Sequence, residues 1–178
     1  PNPVVLRNRL VKSDLKLERT DPEYTTRAGA SNVHFLLART GTDPVEYLTR
    51  SLSPGAESNA IGVWVRMHLA ALRLSAALAE GKVPEAERPA AAREILAVEA
   101  FGLHFLEDSF AAGHVAGCWG DMPTRKGTHD FYNEKGVATH TWGGEDIVLK
   151  GDARMRREDL ERAAPAIRLS VSQLISAL

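Results

Sequence analysis

The sequence predicts an all-α domain with one small β-hairpin, and three observations predict it. Several long stretches carry apolar residues at helical spacing and end on capping residues. Only one stretch, residues 137–150, reads as strand. At 178 residues and 44% hydrophobic content, the chain suits a single domain, residues 1–178, large enough to bury a core.

Taken in order, residues 1–33 are mixed and polar, with turn signals at TDPEY and RAGASN. TDPVEYLTRSL is a short helix with Asp43 as N-cap and Pro44 at its first position. A longer helix follows from about Asn59 to Glu80, stopped by Gly81, with Ile61, Trp64, Val65, His68, Leu72 and Ala76 as its core stripe. VPEAERP connects it to a helix from about Ala90 to Gly113, apolar around most of its circumference and therefore expected to be central and buried. GTHDFYNEKG is a short helix between Thr128 as N-cap and Gly136 as stop. Two β-prone runs around Gly143 and Gly144 form the hairpin. The tail, REDLERAAPAIRLSVSQLISAL, is an amphipathic helix with a bend expected at Pro165.

The bulk numbers exclude several classes. A net charge of −1 argues against a broad basic face for nucleic acid, although one phosphodiester at a metal stays open. No run of eighteen apolar residues suggests a membrane span. The single cysteine, Cys118, rules out an internal disulfide framework. The chain opens PNPVVLRNRL, without initiator Met or signal-peptide pattern, so either it is processed or a front piece is missing.

The chemistry concentrates in LHFLEDSFAAGH, residues 103–114. Residues four apart on a helix lie roughly 40° apart and about 6 Å along the axis, so His104 and Asp108 can reach one ion. His114 would lie roughly 15 Å beyond His104 on a continuous helix, which assigns it to a neighbouring ion. Imidazole and carboxylate suit zinc, and two such ions can clamp a phosphodiester and activate water. Asp108, with two oxygens, can bridge the ions. The bland alternative is a hydrogen-bonded His–Asp pair. His34 and His129, each near turn residues, weigh against coincidence.

HFLEDSFAAGH resembles the zinc-binding motif of the zinc-dependent phospholipase C and P1-type nuclease superfamily, matching its His, Asp and second His in type and spacing. The family's proline before the second His is replaced by Ala112 and Gly113. HDFYNE, opening on His129, resembles the next family segment, with Tyr132 matching, Asn133 where the family has Glu, and Glu134 displaced by one. ASNVHFLLART resembles the segment of the early histidine, here His34, and Asp21 in ERTDPEY stands near a family Asp ligand. The resemblance spans roughly residues 20–136 and implies the multi-helix fold of that superfamily. It implies a first metal on Asp21, His34, His104 and Asp108, and a second on His114, His129 and Asn133 or Glu134. A third zinc in the family uses an N-terminal Trp and a nearby His. This chain begins with Pro1 and has no His before His34, so either a preceding segment is missing, or the chain works with fewer metals, or a partner chain supplies the ligands. The implied activity is zinc-dependent hydrolysis of a phosphodiester, phospholipid headgroup or nucleic acid, by metal-activated hydroxide with Asp21 as base or orienting group. The lack of a basic surface tilts this slightly toward lipid, and the family context toward a secreted or cell-envelope location.

Other residues have plainer readings. His68 is a core or supporting histidine, and His140 is exposed on the hairpin or lines a rim. Asp130 either orients an imidazole or complements a helix N-terminus. Cys118 is a small hydrophobe. The loop GCWGDMPTRKGTH forms a rim where Trp119, Arg125 and Lys126 meet substrate, or is simply solvated. Two rivals to the hydrolase remain: a degenerate member whose metals staple the fold within a larger assembly, and an HD-type phosphohydrolase suggested by His129–Asp130.

Overall fold

A computed structural model describes residues 32–116 and 122–178, residues 122–128 by backbone alone, with the isolated positions Val5, Lys12, Lys16, Arg19, Thr20 and Pro22. Asp21, Cys118, Trp119 and the side chains of Arg125 and Lys126 lie outside the described residues. Among the described residues, helices α1 (Pro44–Leu52), α2 (Ala60–Ala79), α3 (Arg88–Asp108), α4 (Ala112–Ala116), α5 (Met122–Lys135) and α6 (Arg157–Ser176) follow in order. Strands β1 (Val137–His140) and β2 (Asp146–Leu149) form an antiparallel pair between α5 and α6. The described chain is mostly helical with one small sheet.

Local signals set most boundaries. Asp43 caps α1 by accepting the Val45 N–H at 2.8 Å, with Pro44 in the first turn. Asn59 caps α2 through the Gly62 N–H at 2.9 Å. Gly81 and Gly136, at φ +71° and +93°, take the left-handed conformation just beyond α2 and α5. At the start of α6, Asp159 is fully buried at 0% exposure and accepts from the Arg156 backbone N–H and guanidinium at 2.9 Å each. Pro165 lies inside that helix.

Four expectations are corrected. The helix expected to reach Gly113 ends at Asp108, because Ser109, Phe110 and Ala111 donate to carbonyls three residues back and tighten the last turn. The Ser109 hydroxyl donates to the Phe105 carbonyl at 3.0 Å, drawing that carbonyl off the helical ladder. The chain then starts α4 in a new direction. Thr128 is not an N-cap, since α5 begins at Met122 and tolerates Pro123 in its first turn, where no N–H is needed. The stripe on α2 runs through His68, Ala71, Ser75 and Leu78, while Ile61, Trp64, Val65, Leu72 and Ala76 are only half-buried. Correspondingly, α3 buries one face, through Ile95, Glu99, Gly102 and Phe105, and leaves Leu96 and Phe101 exposed.

The core forms where α2, α3 and α6 meet, around Ala71, Leu78, Ile95 and Leu174. Ile95, at 2% exposure, contributes roughly 1.5–3 kcal/mol of transfer free energy by its burial. By length and composition α2 is apolar enough to cross a membrane, as core helices of globular domains also are. Here it packs along α3. The hairpin pairs Val137 with Leu149 and His140 with Asp146, turning at Gly144. It carries the chain from the end of α5 back to Gly151, whose N–H donates to the Asn133 carbonyl at 3.4 Å. That return decides the composition of the site.

Candidate metal centre

Four segments converge at the end of α3. The segment after the 3-10 turn Asn32–His34 is pinned on both sides, the Leu36 N–H donating to the His114 carbonyl at 3.1 Å and the Ala60 N–H to the Phe35 carbonyl at 3.0 Å. This holds the His34 ring over α3, 5.0 Å between centroids from His104 and 4.9 Å from Phe105. His34 Nδ1 lies 2.7 Å from Asp108 Oδ2, and His104 Nε2 lies 3.7 Å from the same oxygen. The turn through Ser109–Ala111 brings His114 Nδ1 to 3.6 Å from the other oxygen, Asp108 Oδ1. His129 on α5 stands across from His114, 4.6 Å between ring centroids.

The donor atoms sort into two groups that could each hold a metal ion: His34, His104 and Asp108, and His114, His129 and Asp152, with ligand atoms in each within 4.8 Å of one another. Asp108 faces both groups, one oxygen to each.

Asp152 is the residue that the sequence reading missed. It lies in the 3-10 turn Asp152–Arg154 after the hairpin, with Oδ2 3.3 Å from His129 Nε2. One signal was present in the sequence: a Gly–Asp pair directly after a strand. Asn133 and Glu134 take other places. Asn133 accepts the Gly113 N–H at 2.6 Å and donates to Asp152 at 2.6 Å. Glu134 points to the surface and pairs with Lys135 at 3.3 Å and Arg154 at 3.5 Å. A residue one past His129's helical partner faces about 100° away from it, so Glu134 belongs to neither group.

The electrostatics fit cations. Asp130 lies 2.8 Å from His129 Nδ1 and accepts its N–H, which leaves Nε2 as an acceptor 3.3 Å from the Asp152 carboxylate and 3.2 Å from Asn133 Nδ2. These two acceptors lie 3.3 Å apart, with the Asn133 NH2 within hydrogen-bond distance of both. Among the described residues, His114 Nδ1 is buried with no hydrogen-bond partner. Burial pushes the His114 imidazole down to about 4, against the pull of Asp108 and with the help of His129, His34 and His104. A neutral, unpartnered, buried imidazole nitrogen beside a carboxylate is what a metal ligand set provides and ordinary packing avoids. Burial likewise raises the Asp152 carboxyl above the usual carboxylate value, with His129 opposing. The floor is closed: Asp108 and His114 are 7% and 8% exposed, while His104 and Asp152 lie at the rim.

Close approach of α4 to α5 requires Gly113, since a Cβ there would fall 2.5 Å from the His129 carbonyl oxygen. The remaining histidines lie elsewhere. His68 is buried in the core, and His140 is exposed and paired with Asp146. The chain matches no protein-family model, curated protein or solved structure.

Proposed function

We propose that this chain is a zinc-dependent phosphodiester hydrolase of the phospholipase C and P1 nuclease type, with the corresponding multi-helix fold. The single observation that carries the reading is the buried Nδ1 of His114, without a hydrogen-bond partner among the described residues and set between Asp108 and His129 at the junction of two His/Asp groups. His34, His104 and Asp108 hold one ion, and His114, His129 and Asp152 hold the other. Zinc is the ion of choice because four imidazoles and two carboxylates make a nitrogen-rich, borderline-soft donor set. Two bound ions supply positive charge to phosphoryl oxygens and acidify water.

The chain's own residues do the rest. Asp108 holds the two groups at a common spacing. Asp130 fixes the His129 tautomer. Phe35 and Phe105, against the His114 and His34 rings, give the site apolar walls that limit water. Asp21 is the proposed base or orienting group. The substrate is a phosphodiester, with a phospholipid headgroup slightly favoured over nucleic acid by the near-neutral charge of the chain.

Elemental analysis together with hydrolysis of bis-p-nitrophenyl phosphate tests the reading. The expected result is two zinc ions per chain and turnover that chelator removes and zinc restores. One tightly held ion without turnover would replace the hydrolase with a metal staple of the fold.

A further inference from the structure

We infer that Asn133 is a positioning residue for the second ion: its carboxamide holds the Asp152 carboxylate beside His129 and His114, so that Asp152, and not Asn133, completes that ligand set. The inference rests on the metal-binding half of the reading above and not on the reaction.

Asn133 is 4% exposed and every part of its amide is engaged. Oδ1 accepts the Gly113 N–H at 2.6 Å, and Nδ2 donates to Asp152 Oδ2 at 2.6 Å while lying 3.2 Å from His129 Nε2. The amide cannot be turned over. Its NH2 would then face the Gly113 N–H, donor to donor, and its oxygen would face the Asp152 carboxylate. With Oδ1 committed to the backbone, the amide presents only N–H groups to the ligand atoms. An N–H group cannot coordinate a cation.

What the amide can do is aim. Asp152 has φ +48°, a left-handed conformation uncommon outside glycine, which Asp adopts more readily than most residues and which surrounding hydrogen bonds stabilise. Asn133 supplies such bonds from two atoms, the side-chain Nδ2 on the carboxylate and the main-chain carbonyl on the preceding Gly151 N–H. The fit is close on both sides. A Cβ on Gly113 would stand 2.7 Å from Asn133 Nδ2, and one on Gly151 would stand 1.8 Å from Oδ1. Two glycines on separate elements therefore open the slot that the amide fills, and through it α4, α5 and the turn after β2 are tied to one ligand position.

The test is titration of the metal-free full chain with Co2+, followed by visible absorption, which reads occupancy and coordination without any substrate. The wild-type chain should take two ions with distinguishable spectra. Asn133→Ala should leave the His34–His104–Asp108 ion unchanged, as an internal check on folding, and weaken the other by about 10- to 100-fold with an altered spectrum. Asp152→Asn should weaken the same ion at least as much. In the Asp152→Asn chain, adding Asn133→Ala should cause no further loss, because the amide acts through a carboxylate already gone. If the alanine chain does not fold, Asn133→Ser, which keeps a polar group under Gly113, takes its place. A second-site affinity unchanged by Asn133→Ala, or losses that add in the double variant, would overturn the inference while leaving the metal centre standing. A wild-type chain that takes no second ion would sink the metal centre itself.

Discussion

Two clusters in this protein use the same residue types to opposite ends. In the core, His68 from α2 places Nδ1 2.9 Å from Glu99 Oε2 and Nε2 3.0 Å from Gln173 Oε1, with Trp64 stacked on its ring. Ser170 donates to Glu99 Oε1 at 2.6 Å, so each ring nitrogen and the carboxylate has a polar neighbour within hydrogen-bond distance, contributed by α3 and α6. At the candidate centre, four histidines crowd two carboxylates and the matching fails at one atom: among the described residues His114 Nδ1, buried beside the Asp108 carboxylate, has no hydrogen-bond partner. A histidine beside an acid therefore says little by itself. Whether the hydrogen-bond capacities close decides between a structural pair and a site awaiting a ligand.

Substitution should separate the clusters cleanly. The largest effect is expected from Asp108→Asn, which removes the carboxylate shared by the two groups. Phosphodiester turnover should fall by about a thousandfold or more, equivalent to about 4 kcal/mol in the barrier, with the first ion lost in elemental analysis. Full turnover with both ions retained would break the distinction. Next, Glu99→Ala strands His68 in the core, and breaking a buried pair from one side costs about 3–5 kcal/mol. Denaturant unfolding should show that loss, while zinc content stays at the wild-type value.

The smallest effect is a pH dependence. The His114 pKa, about 4 when folded, lies below the ordinary value of 6.5 that the unfolded chain recovers. Between these values the unfolded state binds more protons, so stability falls as pH drops from 6.5 toward 4 and is unaffected above 6.5. In chelator, the limiting slope from this group is about 1.4 kcal/mol per pH unit. His114→Gln should flatten it, as measured by urea unfolding at pH 7, 6 and 5. An identical slope in that variant would show that His114 is not the strained group.

Much of the fold was legible from local chemistry. Asp43, Asn59, Gly81 and Gly136 mark helix ends because capping satisfies backbone groups within a few residues, and the hairpin follows from two β-prone runs about Gly143–Gly144. The His104–Asp108 spacing was likewise readable, being a property of one helix. The break after Asp108 was not, because FAAG continues an apolar pattern and nothing local marks the Ser109 back-bond. The true face of α2 was hidden because it depends on which side α3 and α6 occupy.

The sequence alone determined the helical class, several element ends and the five residues His34, His104, Asp108, His114 and His129 that the structure gathers at one place. Only the tertiary structure decided the sixth: the hairpin returns Asp152 to the His129 side of α5, and Gly113 engages the oxygen of Asn133. The reason is physical range. Caps, turns and helical spacing act over a few residues, whereas a ligand set is fixed by which backbone and side-chain acceptors remain unmatched after distant segments have packed.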